Sequence, residues 1–346
     1  MRVAFVTVGD TGRLTGGHLY NRRVLEGLAE GGIWVEEVVP SGADPGEQAR
    51  AAEGFGRAFD PAGFDAVVVD ALARGVVAPH LDGWRPVRPV VALVHELPGV
   101  ADPSAADRER PLEGPLLRAD RLVAVSGHGR DLLLRRGAAP GAVTVVPPGF
   151  DRLRGRPAEE IGDGALRVLC VAQWIPRKGV LDLVRAWRTG DRSGAVLVLV
   201  GETDADPRYA EAVREAAAGD PSIMVRGPVD DEALDGLYAS ADVFALPSRY
   251  EGYGIVYAEA LSRGLPVVAC RVGPVPDLVG GGAAVLVPPG DVGGISAALD
   301  RLLADAGLRQ KMSAAALRRA ADLPRWRGTV EGFLRVLRDA VGARPA

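Results

Sequence analysis

The chain has 346 residues, 47% of them hydrophobic and 25% charged, which suits a folded protein with enough apolar material for two cores. A formal net charge of −4 argues against nucleic acid as the principal partner. No apolar run approaches the roughly 20 residues needed to cross a bilayer, so no integral membrane segment is expected and the chain reads as cytoplasmic.

In chain order, strands are predicted at 2–8, 33–39, 65–69, 89–94, 121–125 and 143–146, with helices such as His18–Gly31 and Gly127–Arg136 between them. The first strand begins directly, without an apolar leader and small-residue cleavage site ahead of it. Near-continuous runs such as Ala66-Val67-Val68-Val69 and Val90-Val91-Ala92-Leu93-Val94 are what a parallel sheet covered on both faces requires. His95 closes the fourth strand, at the carboxyl end where doubly wound folds bind ligands, although a histidine there can also be a capped core residue. His80 and His128 read as structural or surface residues. The stretches Gly42–Arg57 and Gly99–Pro115 read as loops without a legible pattern.

Asp151–Gly164 is polar and rich in Arg and Gly, and reads as a linker. The alternation then restarts: strand 166–172, helix 179–189, strand 195–200, helix 206–218, strand 222–226, helix 230–239, strand 242–246, helix 254–263 and strand 266–270. From Gly290 onward the pattern is mostly helical. Two βαβ series predict an α/β protein with two doubly wound, Rossmann-like domains, 1–152 and 153–325, facing across a cleft. The last helix, roughly Trp326 to Val341 within the segment 326–346, is expected to pack back onto the first domain. Cys170 and Cys270 lie in apolar strands and are expected as buried thiols.

Of 41 basic residues only Lys178 and Lys311 are lysine. A compact ammonium in Arg177-Lys178-Gly179, in a chain that otherwise uses arginine, suits a narrow site for phosphate oxygens. About seventy residues on, Glu251-Gly252-Tyr253-Gly254-Ile255-Val256 leads into a helix that carries Glu259. The glycines let backbone approach a ligand, and the free amides at that helix end suit phosphate. Glu259, among Ala258, Ala260 and Leu261, needs a partner, which the hydroxyls of a ribose could supply. Glu251 stands where it could face a sugar attached to the phosphates. The plain alternative is two solvated surface glutamates.

With these residues in view, the sequence resembles the retaining GT-B glycosyltransferases of family 4. Gly16-Gly17 in the first strand–helix loop, His95, the Val146–Asp151 segment, Pro176–Gly179, Gly201-Glu202 and the Glu251–Glu259 segment carry the resemblance. It implies that Lys178 holds the donor diphosphate, Glu259 the ribose and Glu251 the donor sugar. It further implies that His95 lies near the reacting centre and that the Gly16-Gly17 loop closes on the phosphates. The base would lie around Val225-Arg226-Gly227. Two positions depart from the family pattern: Gln173 stands where a second phosphate-binding cation is usual, a role Arg177 could take, and Pro148 replaces an asparagine.

The implied partners are a nucleotide-diphosphate sugar of UDP or GDP type, as co-substrate with no further cofactor, and an unidentified acceptor. The acidic balance favours a soluble acceptor over a lipid one. The sequence has no His/Cys cluster, and its Asp-x-Asp, Asp204-Ala205-Asp206, lies outside the segments that carry the resemblance, so transfer is expected to need no metal. A dinucleotide oxidoreductase does not fit the Gly9–Gly17 loop, which lacks Gly-x-Gly-x-x-Gly. A non-catalytic nucleotide-sugar-binding protein and a GT-B sugar-nucleotide epimerase remain alternatives. Lys178→Ala is expected to weaken diphosphate binding with the fold intact.

Overall fold

In the computed structural model, residues 1–9, 15–42, 44–151 and 164–343 are described. Nearly all of the expected linker Asp151–Gly164, the expected domain boundary at 152/153, the middle of the Gly9–Gly17 loop and the end of the 326–346 segment lie outside them. The chain forms two compact units, Met1–Gly149 with Pro324–Ala346, and Phe150–Leu323.

The first unit is built on β1 (Arg2–Val6), β2 (Trp34–Val38), β3 (Ala66–Asp70), β4 (Val90–Val94), β5 (Arg121–Ala124) and β6 (Val143–Val145). All neighbours are parallel, in the order β2-β1-β3-β4-β5-β6. Every residue of β3 and β4 is buried, as central strands covered on both faces must be. From β1 the chain runs to β2 on one side and then returns to β3 on the other. The carboxyl ends of β1 and β3 are therefore a topological switch point, where connections diverge and leave a crevice.

Two helices brace this sheet. Gly16–Glu30 is capped by Thr15 and buries Tyr20, Val24 and Leu28. Trp326–Gly342 buries Phe333, Val336, Leu337 and Ala340. They meet where Gly27 lies under Val330, so close that a Cβ on Gly27 would stand within 2.4 Å of it. Thr329 Oγ1 donates to the Pro147 carbonyl at 2.9 Å, and Tyr20 meets Trp326 edge-on.

Two stretches read from sequence as loops are mainly helical. Pro45–Ala58 is a helix whose first turn is capped by Asp44, which accepts from the Gly46 and Glu47 amides. Its inner face sets Gln48 beside Ala51, Ala52 and Phe55, which pack on the core. Gln48 accepts from the Gly75 amide and donates to the Leu72 carbonyl, so a polar contact anchors the start of the helix. Ala106–Leu117 is also helical, despite Pro111 and Pro115, and buries Glu109 and Glu113. Glu109 pairs with Arg74 at 2.6 Å, and Glu113 accepts from the Gly99 amide at 2.8 Å.

The second unit contains β7 (Leu166–Val171), β8 (Ala195–Val200), β9 (Ile223–Gly227), β10 (Val243–Leu246), β11 (Val267–Cys270) and β12 (Ala284–Val287). They form a parallel sheet ordered β12-β11-β10-β7-β8-β9. Its core includes Trp174, Trp187, Tyr238, Phe244 and Tyr257. The edge strand β12 is absent from the sequence expectation. It is four residues long, mostly half-buried, and set between Gly280-Gly281-Gly282 and Pro288-Pro289, so it shows neither alternation nor a long apolar run. The switch point here falls between β7 and β10. Cys170 and Cys270 are free and buried, and burial pushes their thiols up to about 12 and about 11. Among the described residues, no helix is long and apolar enough to cross a membrane.

Candidate functional site

The loops leaving β7 and β10 carry Lys178 and Glu251, seventy-three positions apart in sequence and brought together by the switch point. Lys178 Nζ donates to Glu251 Oε1 at 2.7 Å, and Ser248 Oγ donates to the same oxygen at 2.7 Å. The Glu251 side chain is only 4% exposed and that of Lys178 15%. Burial pushes the Glu251 carboxyl up, but the Lys178 and Arg177 charges and the two hydrogen bonds outweigh it and hold the group below the usual glutamate range. The two loops are tied by backbone as well: the Arg249 amide donates to the Arg177 carbonyl at 2.7 Å. The Arg249 guanidinium grips Asp182, in the first turn of the helix after Lys178, with contacts of 2.7 and 3.1 Å.

Helices Val180–Thr189 and Ile255–Ser262 begin beside this pair, on Gly179 (φ 67°) and Gly254 (φ 97°). Both angles are left-handed, which glycine adopts without steric cost. A Cβ on Gly179 would lie 2.3 Å from the Pro247 carbonyl oxygen, and one on Gly254 would lie 2.5 Å from the Tyr257 ring. The unit's other helices of eight or more described residues are capped by Asp206, Asp230, Asp291 and Asp305. At these two the N-cap residue is a glycine and supplies no side-chain cap. The Leu181 amide in the first of them donates to Tyr209 Oη at 3.0 Å, and the remaining leading amides and positive dipole ends are left for an anion from outside the chain.

The sequence-derived residues of this unit separate into a group around the pair and others further off. Lys178, Arg177, Glu251, Gly252, Tyr253, Gly254, Ile255 and Val256 lie on the two loops and the helix start. Gly201 follows β8, where its amide donates to the Gly227 carbonyl at 2.9 Å. Gln173 donates to Glu202 at 2.7 Å, joining the loops after β7 and β8. Arg226 is exposed on β9 and joins none of these contacts among the described residues.

Glu259 sits in the second turn of its helix, half-buried, and accepts from Tyr238 Oη at 2.8 Å. Burial raises its carboxyl above the usual range, with the Tyr238 hydrogen bond opposing the rise. Sequence reasoning asked for a partner to Glu259 and missed Tyr238, which comes from the neighbouring helix and carries no motif.

Gly16, Gly17 and His95 belong to the first unit. Gly16 and Gly17 open the helix after β1, and Gly17 lies against the His95 ring, a Cβ there falling 3.6 Å from Cδ2. His95 Nε2 lies 2.9 Å from Asn21 Oδ1 and 3.8 Å from Asp70 Oδ2. Asn21 Nδ2 and Thr7 Oγ1 both donate to Asp70, and the Asp70 side chain is 0% exposed. Burial lowers the His95 pKa, against the pull of Asp70 and Glu96 and with the repulsion of His18. Sequence reasoning missed Thr7, Asn21 and Asp70. A carboxylate closing a strand of valines was the available signal. His18 is bonded to Thr15 through Nδ1 at 2.6 Å, as part of the helix cap.

Comparison with known proteins bears on both units. Residues 6–154 match the family model described as Glycosyltransferase Family 4, and residues 165–305 match that of Glycosyl transferases group 1. The D-inositol 3-phosphate glycosyltransferase of Acidothermus cellulolyticus is 32% identical over 285 residues, covering 74% of this chain and 63% of that protein. The chain thus spans just under two thirds of that relative. Among solved structures, sucrose-phosphate synthase from Thermosynechococcus elongatus superposes with a TM-score of 0.84 at 23% identity, covering 99% of this chain and 100% of the other. HepE from Anabaena, solved with UDP and glucose, gives 0.80 at 19% identity over 97% and 99%. At these identities the structural likeness shows the fold: two parallel sheets with helices, of GT-B type.

Proposed function

We propose that this chain, which belongs to glycosyltransferase family 4, moves a sugar from a nucleoside-diphosphate sugar to a hydroxyl of a soluble acceptor, with retention at the anomeric carbon. The observation that carries this reading is the junction of β7 and β10, where the Lys178–Glu251 pair adjoins two helix starts whose N-cap is a left-handed glycine without a capping side chain. A diphosphate brings the negative charge those amides lack, and Lys178 Nζ adds a point charge at the same place.

As the bond to the sugar breaks, charge grows on the diphosphate. Preset amides and an ammonium stabilise that charge without reorganising. Arg177, whose charge already acts on Glu251, adds a second cation near a loop where Gln173 is neutral. In this reading Glu251 contacts the sugar, and Glu259, hydrogen-bonded to Tyr238, binds the ribose. Attack on the face the diphosphate leaves, with a phosphate oxygen taking the acceptor proton, gives retention and asks the chain for positioning alone. The donor is of UDP or GDP type, and no metal takes part.

Calorimetry with UDP, GDP and their sugars, followed by NMR of the product anomer with and without EDTA, tests the proposal. Tight binding of one nucleoside diphosphate and an EDTA-insensitive, retained product are expected. An inverted product, or activity restored only by Mn²⁺ or Mg²⁺, would refute the mechanism.

A further inference from the structure

We infer that Asn21 is a positioning residue: it fixes His95 as the Nε2–H tautomer, so that the Nδ1 lone pair is offered to a substrate hydroxyl. The chain of contacts starts at Asp70, at the end of β3. Its Oδ1 accepts from the Leu72 amide at 2.9 Å, and its Oδ2 accepts from Thr7 Oγ1 at 3.1 Å and from Asn21 Nδ2. This fixes which way the Asn21 amide faces, because turning it over would set the amide oxygen against a carboxylate oxygen in a site sealed from water. Asn21 Oδ1 must then point the other way, at His95 Nε2, 2.9 Å distant. An acceptor at that distance requires a donor, so Nε2 carries the hydrogen.

The ring has one proton to place. Burial disfavours the imidazolium, and the charged or titratable groups acting on the ring are Asp70, Glu96 and His18, with Tyr20 packed edge-on at 5.3 Å. With Nε2 protonated and the ring neutral, Nδ1 is left as an acceptor. Among the described residues it has no hydrogen-bond partner, and it is not one of the sealed side-chain nitrogens without a bond, such as those of Trp174 and Arg192. Nδ1 is therefore open to a donor from outside the chain. The assignment of that donor as a substrate hydroxyl rests on the transferase reading, whereas the tautomer itself does not.

The test is imidazole ¹⁵N NMR on the full chain, which has only four histidines, with His95 assigned from its loss in His95→Gln. At neutral pH the expected pattern is a protonated Nε2 and an unprotonated Nδ1. The opposite tautomer, or an imidazolium, overturns the inference. Asn21→Ala removes the acceptor from Nε2–H, and is expected to turn the His95 ¹⁵N pattern into a mixture of the two neutral tautomers. In the transfer assay, kcat at pH 7 should fall about 10–100-fold, as when a partner that orients a histidine is lost, with donor KM little changed. An unchanged tautomer in a folded Asn21→Ala chain would also overturn it. If that variant does not fold, the wild-type spectrum decides alone. The stated tautomer in a chain that transfers no sugar would sink the transferase reading and leave the positioning role standing.

Discussion

A lysine and a nearly sealed glutamate, 2.7 Å apart, set the terms on which any anion enters the second unit. From sequence, Lys178→Ala is a pure binding variant. The ion pair changes that expectation, because the variant strands a buried carboxylate with Ser248 as its remaining recorded side-chain donor. Breaking such a pair from one side costs about 3–5 kcal/mol, and the partial exposure of Lys178 points to the lower end. Urea denaturation should show that loss in Lys178→Met, and should show most of it recovered in Lys178→Met/Glu251→Gln. Equal stability of Lys178→Met and wild type would remove the pair from the fold's energetics. The two glutamates also answer to pH in opposite senses. Glu251 is held below its ordinary range, so its contribution is present above that range and lost as pH falls through the folded value. Glu259 is held above its range, so its contribution is complete below the ordinary glutamate value and lost as pH rises. Tyr238→Phe removes the hydrogen bond that favours the ionised Glu259, and should cost roughly 1–3 kcal/mol near pH 8. The cost should be smaller near pH 4, where the group is protonated and needs that donor less. A cost independent of pH would assign it to packing instead.

The longer helices of the second unit divide by what precedes them: an aspartate that accepts from the first turn, or a left-handed glycine that supplies no cap. Gly254→Ala should therefore fail twice. A non-glycine residue at that φ costs about 1–2 kcal/mol, and the added Cβ meets the Tyr257 ring. Thermal denaturation should show the destabilisation, and calorimetry the loss of nucleoside-diphosphate affinity. Retained affinity would take this helix end out of the site. The glycines and the lysine were legible in sequence because they break composition locally, and the strands were legible because valine runs buried on both faces leave no doubt of period. Pro45–Ala58 and Ala106–Leu117 were not, since buried Gln48, Glu109 and Glu113 and internal glycines and prolines interrupt their apolar faces. Nor were the contacts of Asp70 with Asn21, or of Asn21 with His95. They depend on β1 lying between β2 and β3, and strand order is a long-range property that no local pattern encodes.

At the scale of the whole molecule, the chain leaves the first unit at Gly149, builds the second, and returns at Pro324 to complete the first. Removing the returning segment would uncover the surface against which Phe333, Val336 and Leu337 are buried, each such side chain contributing about 1.5–3 kcal/mol. A fragment of residues 1–149 is expected to aggregate or to bind hydrophobic dyes, and to be rescued by a peptide spanning 324–343. A well-folded, monomeric fragment needing no peptide would contradict this. The same feature has a consequence for synthesis. Translation at about 5–20 residues per second needs on the order of ten to thirty seconds to travel from Gly149 to Trp326. Throughout that interval the first unit waits on the ribosome with its apolar groove open, while the second is free to fold ahead of it. For this chain, the half made first is the half finished last.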